Sequence, residues 1–161
     1  TVLEALKLCP DWHLTIVGAG SPDYQQSLLQ AAAELGPRVE FLGKQPRDQL
    51  SQIYRQHDAF VFPSIWVEPY GLTHLEAMAS GLPLLATMHG GHGEHLRSGI
   101  NCLGFTKESP PQLAEALNQL QSDPELARRL ALAGRAMVEM DLNFERYARE
   151  VEEALWQTLT P

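Results

Sequence analysis

The stretch Trp66-Val-Glu68-Pro-Tyr-Gly71-Leu-Thr73-His-Leu-Glu76-Ala-Met-Ala-Ser-Gly81-Leu-Pro83 decides how this 161-residue chain folds. The apolar segment before it, residues 59–62, is closed by Pro63 and is typical of a buried strand. A helix is expected over residues 71–80, and Gly81-Leu-Pro83 ends it. The stretch therefore predicts a strand, a turn and a helix, with Glu68 in the turn at the carboxyl end of the strand.

The turn and the first helical residues offer backbone donors for an anion. The N–H groups of Gly71, Leu72 and Thr73 have no partner inside a helix that begins at Gly71. Such groups bind phosphate, and a glycine lets the ligand approach the backbone closely. The pattern predicts a diphosphate site here that needs no cluster of basic side chains.

Two carboxylates flank this predicted site. Glu76, about one turn into the helix, can accept hydrogen bonds from a vicinal diol such as that of ribose. Glu68 can accept hydrogen bonds from sugar hydroxyls, or stabilise positive charge that develops at an anomeric carbon. A purely structural explanation also fits, because the helix dipole favours acidic residues in a first turn and Glu68 suits a solvated turn. The residues alone leave both interpretations open.

The spacing of apolar residues predicts which face of this helix is buried. Leu72, Leu75 and Ala79 are expected to point to the core, because they recur at helical spacing. His74 is expected to face solvent or a neighbouring loop.

Strand and helix patterns alternate along the rest of the chain, which predicts an α/β fold with a Rossmann-like parallel sheet and helices on both faces. Such a sheet binds ligands at the carboxyl ends of its strands. Asp123 and Asn143 are expected to cap the last two helices. Strands are expected at residues 13–17, 39–42, 59–62, 84–86 and 101–105, and the other helices at residues 23–35, 46–57, 94–97 and 111–120.

Composition excludes some classes of partner. A net charge of −8 without a basic run argues against nucleic acid or an anionic membrane surface as the main partner. The apolar runs are too short to span a bilayer. Cys9 and Cys102 form neither a disulfide framework nor a metal-binding spacing, so a reducing, cytoplasmic location is expected.

The stretch around Glu68 resembles the Glu-x7-Glu motif of family-4 retaining glycosyltransferases, which have the two-Rossmann-domain GT-B fold. Other segments resemble the same family in the same order, so the resemblance covers nearly the whole chain. These segments are His13-Leu-Thr-Ile-Val-Gly-Ala-Gly20, Val39-Glu-Phe-Leu-Gly43, Leu50-x3-Tyr54-x3-Asp58, Glu76-Ala-Met-Ala-Ser-Gly-Leu-Pro83, Ala86-Thr-x-x-Gly-Gly91, Asp123-Pro-Glu-Leu126 and Asn143-Phe-Glu145.

The resemblance implies an enzyme that moves a hexose from a nucleotide diphosphate sugar to an acceptor, with retention and without a metal or other cofactor. It implies that Glu68 is catalytic and contacts the transferred sugar, and that Glu76 binds the ribose. The remaining donor-binding residues that it implies are Gly18, Gly20, Lys44, Gly71, Leu72, Thr73, Gly90 and Gly91. The pattern is also similar to sucrose synthases and sucrose-phosphate synthases, and glycogen-synthase-like enzymes share part of it.

The chain departs from the family pattern at its start. Residues 1–161 are expected to form one donor-binding domain that lacks its first strand and the N-terminal acceptor domain. Family members carry an Arg and a Lys that grip the diphosphate, and both would precede Thr1. Lys7 lies on a helix and is a poor substitute.

Other interpretations of the sequence remain open. His89, His92, Glu94 and His95 resemble a metal site, but a glycine loop that happens to be rich in histidine is the preferred explanation, and no metal site is expected. Gly18-Ala-Gly20 begins a dinucleotide-binding pattern that fails at Asp23, where a third glycine would be needed. A non-catalytic nucleotide-binding Rossmann-like module and a GT-B epimerase are the alternative functions.

Overall fold

The computed structural model describes residues 1–142 and 144–159, which alternate between strands and helices. The strands are β1 Leu14–Val17, β2 Val39–Gly43, β3 Phe60–Phe62, β4 Leu84–Thr87 and β5 Leu103–Phe105. The helices are α1 Val2–Leu8, α2 Pro22–Ala32, α3 Arg47–Arg55, α4 Thr73–Ala79, α5 Pro110–Ser122, α6 Pro124–Met140 and α7 Phe144–Leu159, with 3-10 segments Ala33–Arg38 and Gly91–Glu94. This order confirms the α/β class.

The strands pair in parallel, but they form two hydrogen-bonded sheets instead of one. β1 pairs with β2. β4 lies between β3 and β5, with Leu85 opposite both Val61 and Leu103. Within residues 1–142 and 144–159, no ladder joins the two-stranded sheet to the three-stranded sheet. Because β3, β4 and β5 run in the same direction, the turns that follow them leave one edge of their sheet.

The three-stranded sheet has a core on each of its faces. Successive side chains of a strand point to opposite faces, and β4 is buried over its whole length. Leu85 packs with buried residues of α5 and α6, including Leu113 and Leu130. Leu84 belongs to the opposite cluster, which contains Met78 of α4. Helices therefore cover both faces, as predicted.

The two-stranded sheet has a core of its own. Leu3 and Leu6 of α1 pack there with Ala32 and Leu35, and residues of β1 and β2 border the cluster. Trp12 packs against this cluster and also against the cluster that contains Leu85. Side-chain packing thus connects the two sheets where hydrogen bonds do not.

Helix α4 differs from its prediction in both length and phase. It begins at Thr73, so Gly71 and Leu72 belong to the preceding turn. Its buried residues are His74, Ala77 and Met78, which recur at helical spacing. Leu72 and Ala79 are exposed, so their predicted burial is wrong, and the predicted exposure of His74 is wrong as well.

The predicted helix caps and the predicted last helix agree only in part with the structure. Asp123 caps α6, because its Oδ1 accepts a 2.9 Å hydrogen bond from the Leu126 N–H. The predicted cap Asn143 lies outside the described residues. α7 carries an apolar stripe that includes Phe144 and Leu155, and both are exposed. None of the helices described is both long enough and apolar enough to cross a membrane.

Replacement of Leu85 by alanine tests the position of the core. Leu85 is fully buried, so Leu85→Ala should lower the free energy of unfolding by about 2–5 kcal/mol in urea titrations. Leu132→Ala is the matched control on α6, where the leucine is 56% exposed, and it should change stability by less than about 0.5 kcal/mol. Equal losses in the two variants would contradict this assignment of the core.

Candidate functional site

The Glu68 turn, residues 63–72, connects β3 to α4 at the carboxyl end of β3. The loop after β4, residues 88–95, leaves the same edge of the sheet. The Thr87 hydroxyl donates a 2.7 Å hydrogen bond to the Ser64 carbonyl, which joins the beginnings of these two segments. Glu68 is half-buried between them, while its neighbours Trp66 and Val67 are exposed.

Gly90 and Gly91 lie directly against the backbone of the Glu68 turn. Gly90 forms an isolated parallel bridge with Glu68, and the Gly91 N–H donates a 2.8 Å hydrogen bond to the Glu68 carbonyl. A Cβ on Gly90 would overlap the Glu68 carbonyl oxygen, and one on Gly91 would overlap the Pro69 carbonyl oxygen. The close approach at these glycines is therefore to the chain itself, and their contact with a donor stays a prediction.

Gly71 packs against Glu68 from the other side. Its φ is +75°, a conformation that favours glycine, and an added Cβ would lie 2.8 Å from the Phe62 ring and 3.3 Å from the Glu68 Cγ. Glu68 thus lies between Gly71 and Gly90, on a turn whose backbone has little freedom to move. This arrangement restricts the positions that the Glu68 carboxylate can take.

Backbone donors are available beside this carboxylate. Within the part of the chain that the structure describes, the N–H groups of Gly71, Leu72 and Thr73 donate to no protein acceptor. Leu72 and Thr73 are exposed, so these donors lie near solvent. They are the three groups that the sequence predicts to hold an anion.

Glu76 is held by Tyr54, a residue for which the sequence predicted no role at the site. The Tyr54 hydroxyl of α3 donates a 3.2 Å hydrogen bond to Glu76 Oε2. Burial, together with the charge of Glu76 and this hydrogen bond, raises the pKa of Tyr54 to about 12. Tyr54 therefore remains a proton donor at neutral pH and orients the Glu76 carboxylate.

Gly18, Gly20 and Lys44 form a second group at the carboxyl ends of β1 and β2. The Gly18 N–H donates a 2.9 Å hydrogen bond to the Gly43 carbonyl, which lies next to Lys44. All three predicted residues are exposed. No hydrogen bond within residues 1–142 and 144–159 joins this group to the Glu68 turn. Lys7 is engaged elsewhere, since its ammonium pairs with Glu4 at 3.1 Å and with Glu34 at 2.9 Å.

Three histidines lie beneath the Glu68 turn, and sequence reasoning did not find this cluster. His74 of α4 and His95 stack with ring centroids 5.2 Å apart, and their Nε2 atoms are 2.9 Å apart. His92 is fully buried and its Nε2 donates a 2.6 Å hydrogen bond to the Thr87 carbonyl. Phe62 contacts the rings of both His74 and His92, at 5.0 Å in each case.

Two members of the cluster, His74 and His95, favour the neutral imidazole. Burial, followed by the nearby His95 and His92, lowers the pKa of His74 from 6.5 to about 4. Burial also lowers the pKa of His95, as do His92 and Arg97, while Glu94 opposes the shift. The Nδ1 atoms of His74 and His92 are buried and have no hydrogen-bond partner in the described chain.

The histidine-rich segment does not assemble a metal site in this structure. Among the described residues, no three or more His, Cys, Asp or Glu side chains are arranged to hold a metal ion. The alternative, a glycine loop that carries histidines, accounts for the contacts of His92 and His95. The expectation that the reaction needs no metal stays a prediction.

The chain is similar to known glycosyltransferases. Residues 1–137 match the family model described as "Glycosyl transferases group 1". A D-inositol 3-phosphate glycosyltransferase of Nocardia farcinica is 36% identical over 136 residues, which cover 80% of this chain and 30% of that protein. The chain thus spans about a third of the length of the curated relatives it matches.

Solved structures share the fold. The chain is similar to Anabaena HepE in complex with UDP-glucose, with a TM-score of 0.89 and 27% identity over 97% of this chain and 44% of that one. It is also similar to a sucrose-phosphate synthase of Thermosynechococcus elongatus, with a TM-score of 0.84 and 29% identity over 98% of this chain and 42% of that one. The predicted GT-B resemblance is confirmed.

Replacement of Gly91 by alanine tests the contact that holds the Glu68 turn. Gly91→Ala should push residue 91 away from the Pro69 carbonyl and break the hydrogen bond from the Gly91 N–H to Glu68. We expect amide hydrogen exchange at residue 91 to become at least about tenfold faster. Gly93→Ala is the control, because its Cβ would meet nothing closer than 3.7 Å. Unchanged exchange in Gly91→Ala would contradict the proposed contact.

Proposed function

Because the chain belongs to the group 1 glycosyl transferases, we propose that it is the donor-binding domain of a retaining glycosyltransferase. The donor is a nucleotide diphosphate sugar, and the whole protein transfers its hexose to an acceptor. One observation carries the proposal: Glu68, which is half-buried, lies in the same turn-to-helix segment as the N–H groups of residues 71–73, which have no acceptor among the described residues, and Gly90 and Gly91 pack against this turn.

In this proposal the N–H groups of Gly71, Leu72 and Thr73 bind the diphosphate and take up the negative charge that grows as it leaves. The Glu68 carboxylate lies beside them and stabilises the positive charge that develops at the anomeric carbon. Retention places the leaving group and the incoming acceptor on the same face of the sugar. Glu68 therefore acts electrostatically in this scheme, and no metal is assigned to the site.

The nucleoside extends away from this turn. Glu76 accepts hydrogen bonds from the ribose diol, with its carboxylate oriented by the Tyr54 hydroxyl. Gly18, Gly20 and Lys44 line the far side of the cleft, where main-chain groups hold the base. Gly90 and Gly91 complete the wall of the site next to Glu68. A complex of the similar Anabaena protein with UDP-glucose supports this choice of donor class.

The two-sheet arrangement supports one further part of the proposal, a strand that the whole protein adds between β1 and β3. A doubly wound sheet commonly has six strands in the spatial order 3-2-1-4-5-6. If the first of these six strands is not part of this chain, β2 and β1 occupy the first two places of that order, and β3, β4 and β5 occupy the last three. The central place then belongs to a strand outside residues 1–161. In the whole protein, an acceptor domain closes the other side of the cleft.

Calorimetric titration with UDP-, ADP- and GDP-glucose tests the donor site in the 161-residue chain. We expect weak binding of one of these donors, and Glu76→Gln should weaken it about 10- to 100-fold, because a charged hydrogen-bond acceptor for the ribose is lost. Glu115→Gln on α5 is the matched control and should leave the affinity unchanged, since Glu115 is exposed. Absence of binding to all three donors, or an unchanged affinity in Glu76→Gln, would refute the assignment.

The same chain is expected to bind a donor without transferring its sugar, because the acceptor side of the cleft is outside it. Product formation is measured with radiolabelled donor, for the chain alone and for the whole protein. In the whole protein, Glu68→Gln should reduce kcat at least about a hundredfold while the KM for donor changes little, since the charge acts in the transition state. Transfer by the chain alone, or full activity of Glu68→Gln, would contradict these roles.

A further inference from the structure

We propose that His74 and His95 are positioning residues, whose imidazole–imidazole hydrogen bond clamps the loop after β4 and the Glu68 turn onto helix α4. The inference deepens the proposed function, on which it rests, because the clamped segments are those assigned to donor binding. It gives a role to a buried histidine, His74, and a half-buried one, His95, which the reaction scheme does not use.

Three segments of the site meet at this pair. His74 directly follows Thr73 on α4, and His95 ends the loop that begins after β4. Tyr70 of the Glu68 turn covers both imidazoles, with ring centroids 5.3 Å from His95 and 6.3 Å from His74. A contact between the two imidazoles therefore ties together the turn, the helix and the loop.

Hydrogen bonds of Gly91 and His92 also hold the loop after β4, so the loop is held on both sides of Glu94. His92 donates from Nε2 to the Thr87 carbonyl at 2.6 Å, and Gly91 donates to the Glu68 carbonyl at 2.8 Å. Between these anchors and His95 lies Glu94, which is exposed. Loss of the His74–His95 contact would free the far end of the loop and loosen Gly91 from Glu68.

The clamp depends on protonation, because a hydrogen bond between two Nε2 atoms needs one N–H and one lone pair. When both imidazoles are cationic, two N–H groups face each other at 2.9 Å and the bond is lost. His74 resists protonation, since burial lowers its pKa to about 4 and its buried Nδ1 has no hydrogen-bond partner among the described residues. Opening of the clamp returns His74 to water, where its pKa is the ordinary 6.5 instead of about 4, so lower pH favours the open state. The clamp therefore holds near pH 7 and weakens as the pH falls from about 6.5 toward 4.

Other titratable and charged groups face the pair from each surrounding segment. The Glu94 carboxylate favours a proton on His95, whereas the Arg97 guanidinium and His92 disfavour it. His92 also disfavours a proton on His74. Tyr70 contributes a neutral phenol, because burial and Glu94 raise its pKa. Asp141, directly after α6, and His95 line one surface pocket.

Hydrogen exchange in the donor-free chain tests the clamp without relying on donor binding. In His95→Leu, exchange of the Gly91 amide at pH 7 should become about tenfold faster, because the loop loses its hydrogen bond to α4. His95→Gln should restore protection, since its amide N–H can donate to His74 Nε2. His13→Leu, a replacement of an exposed histidine before β1, is the control and should have no effect.

The pH dependence of donor affinity is the second measurement. UDP-glucose, or whichever glucose donor binds the chain most tightly, does not itself titrate between pH 5 and 8. Its affinity for the unmodified chain should fall about tenfold from pH 7 to pH 5, whereas His74→Leu/His95→Leu should bind it more weakly at pH 7 and without this pH dependence.

The two experiments separate the clamp from the donor site. Faster Gly91 exchange in His95→Leu, with rescue by His95→Gln, supports the clamp even if no donor binds. Gly91 exchange within twofold of the unmodified chain in His95→Leu overturns it, whatever the donor affinity. Equal pH dependence of donor affinity in the unmodified chain and the double variant overturns it as well. If His95→Leu does not fold, the pKa values of His74 and His95 are measured in the unmodified chain by nitrogen NMR. Independent titration of both histidines near pH 6.5 would exclude the clamp.

Discussion

The parallel pairing of β4 with both β3 and β5 is the constraint on which the rest of the structure depends. β4 is buried along its whole length, so its side chains build a core on each face of the sheet. Thr87 lies at its carboxyl end, where the Thr87 hydroxyl donates a hydrogen bond to the Ser64 carbonyl and the Thr87 carbonyl accepts one from His92 Nε2. The loop that follows brings two glycines against the Glu68 backbone. The geometry of the candidate site is thus a direct consequence of how the core strand pairs.

The chain achieves a candidate anion site without basic side chains. Its net charge is −8, and the donors near Glu68 are backbone N–H groups, whose partial charges need no counterion. Burial lowers the pKa of His74 and of His95, which favours their neutral forms next to the turn.

Some features of the candidate site could be predicted from the sequence, and others could not. The turn, the helix after it and the glycines around Glu68 follow from residue patterns that are local. The glycines of the loop after β4 were expected to make room for a ligand, and the structure shows that they make room for the Glu68 backbone. The sequence alone cannot distinguish these two roles, because a glycine is required whether a ligand or another part of the chain approaches the backbone closely. The burial of His74 was missed, since the phase of α4 depends on which side packs against α6 and β3.

The sequence by itself determined the order of strands and helices, the α/β class, the Glu68 turn and the family, because each is written in neighbouring residues or in ordered motifs. Only the tertiary structure decided that the strands form two sheets, that Tyr54 holds Glu76, and that His74 meets His95 across 21 residues of chain. Such contacts depend on strand register and helix phase together. No local pattern encodes them, since the two partners are brought together by the packing of all the elements between and around them.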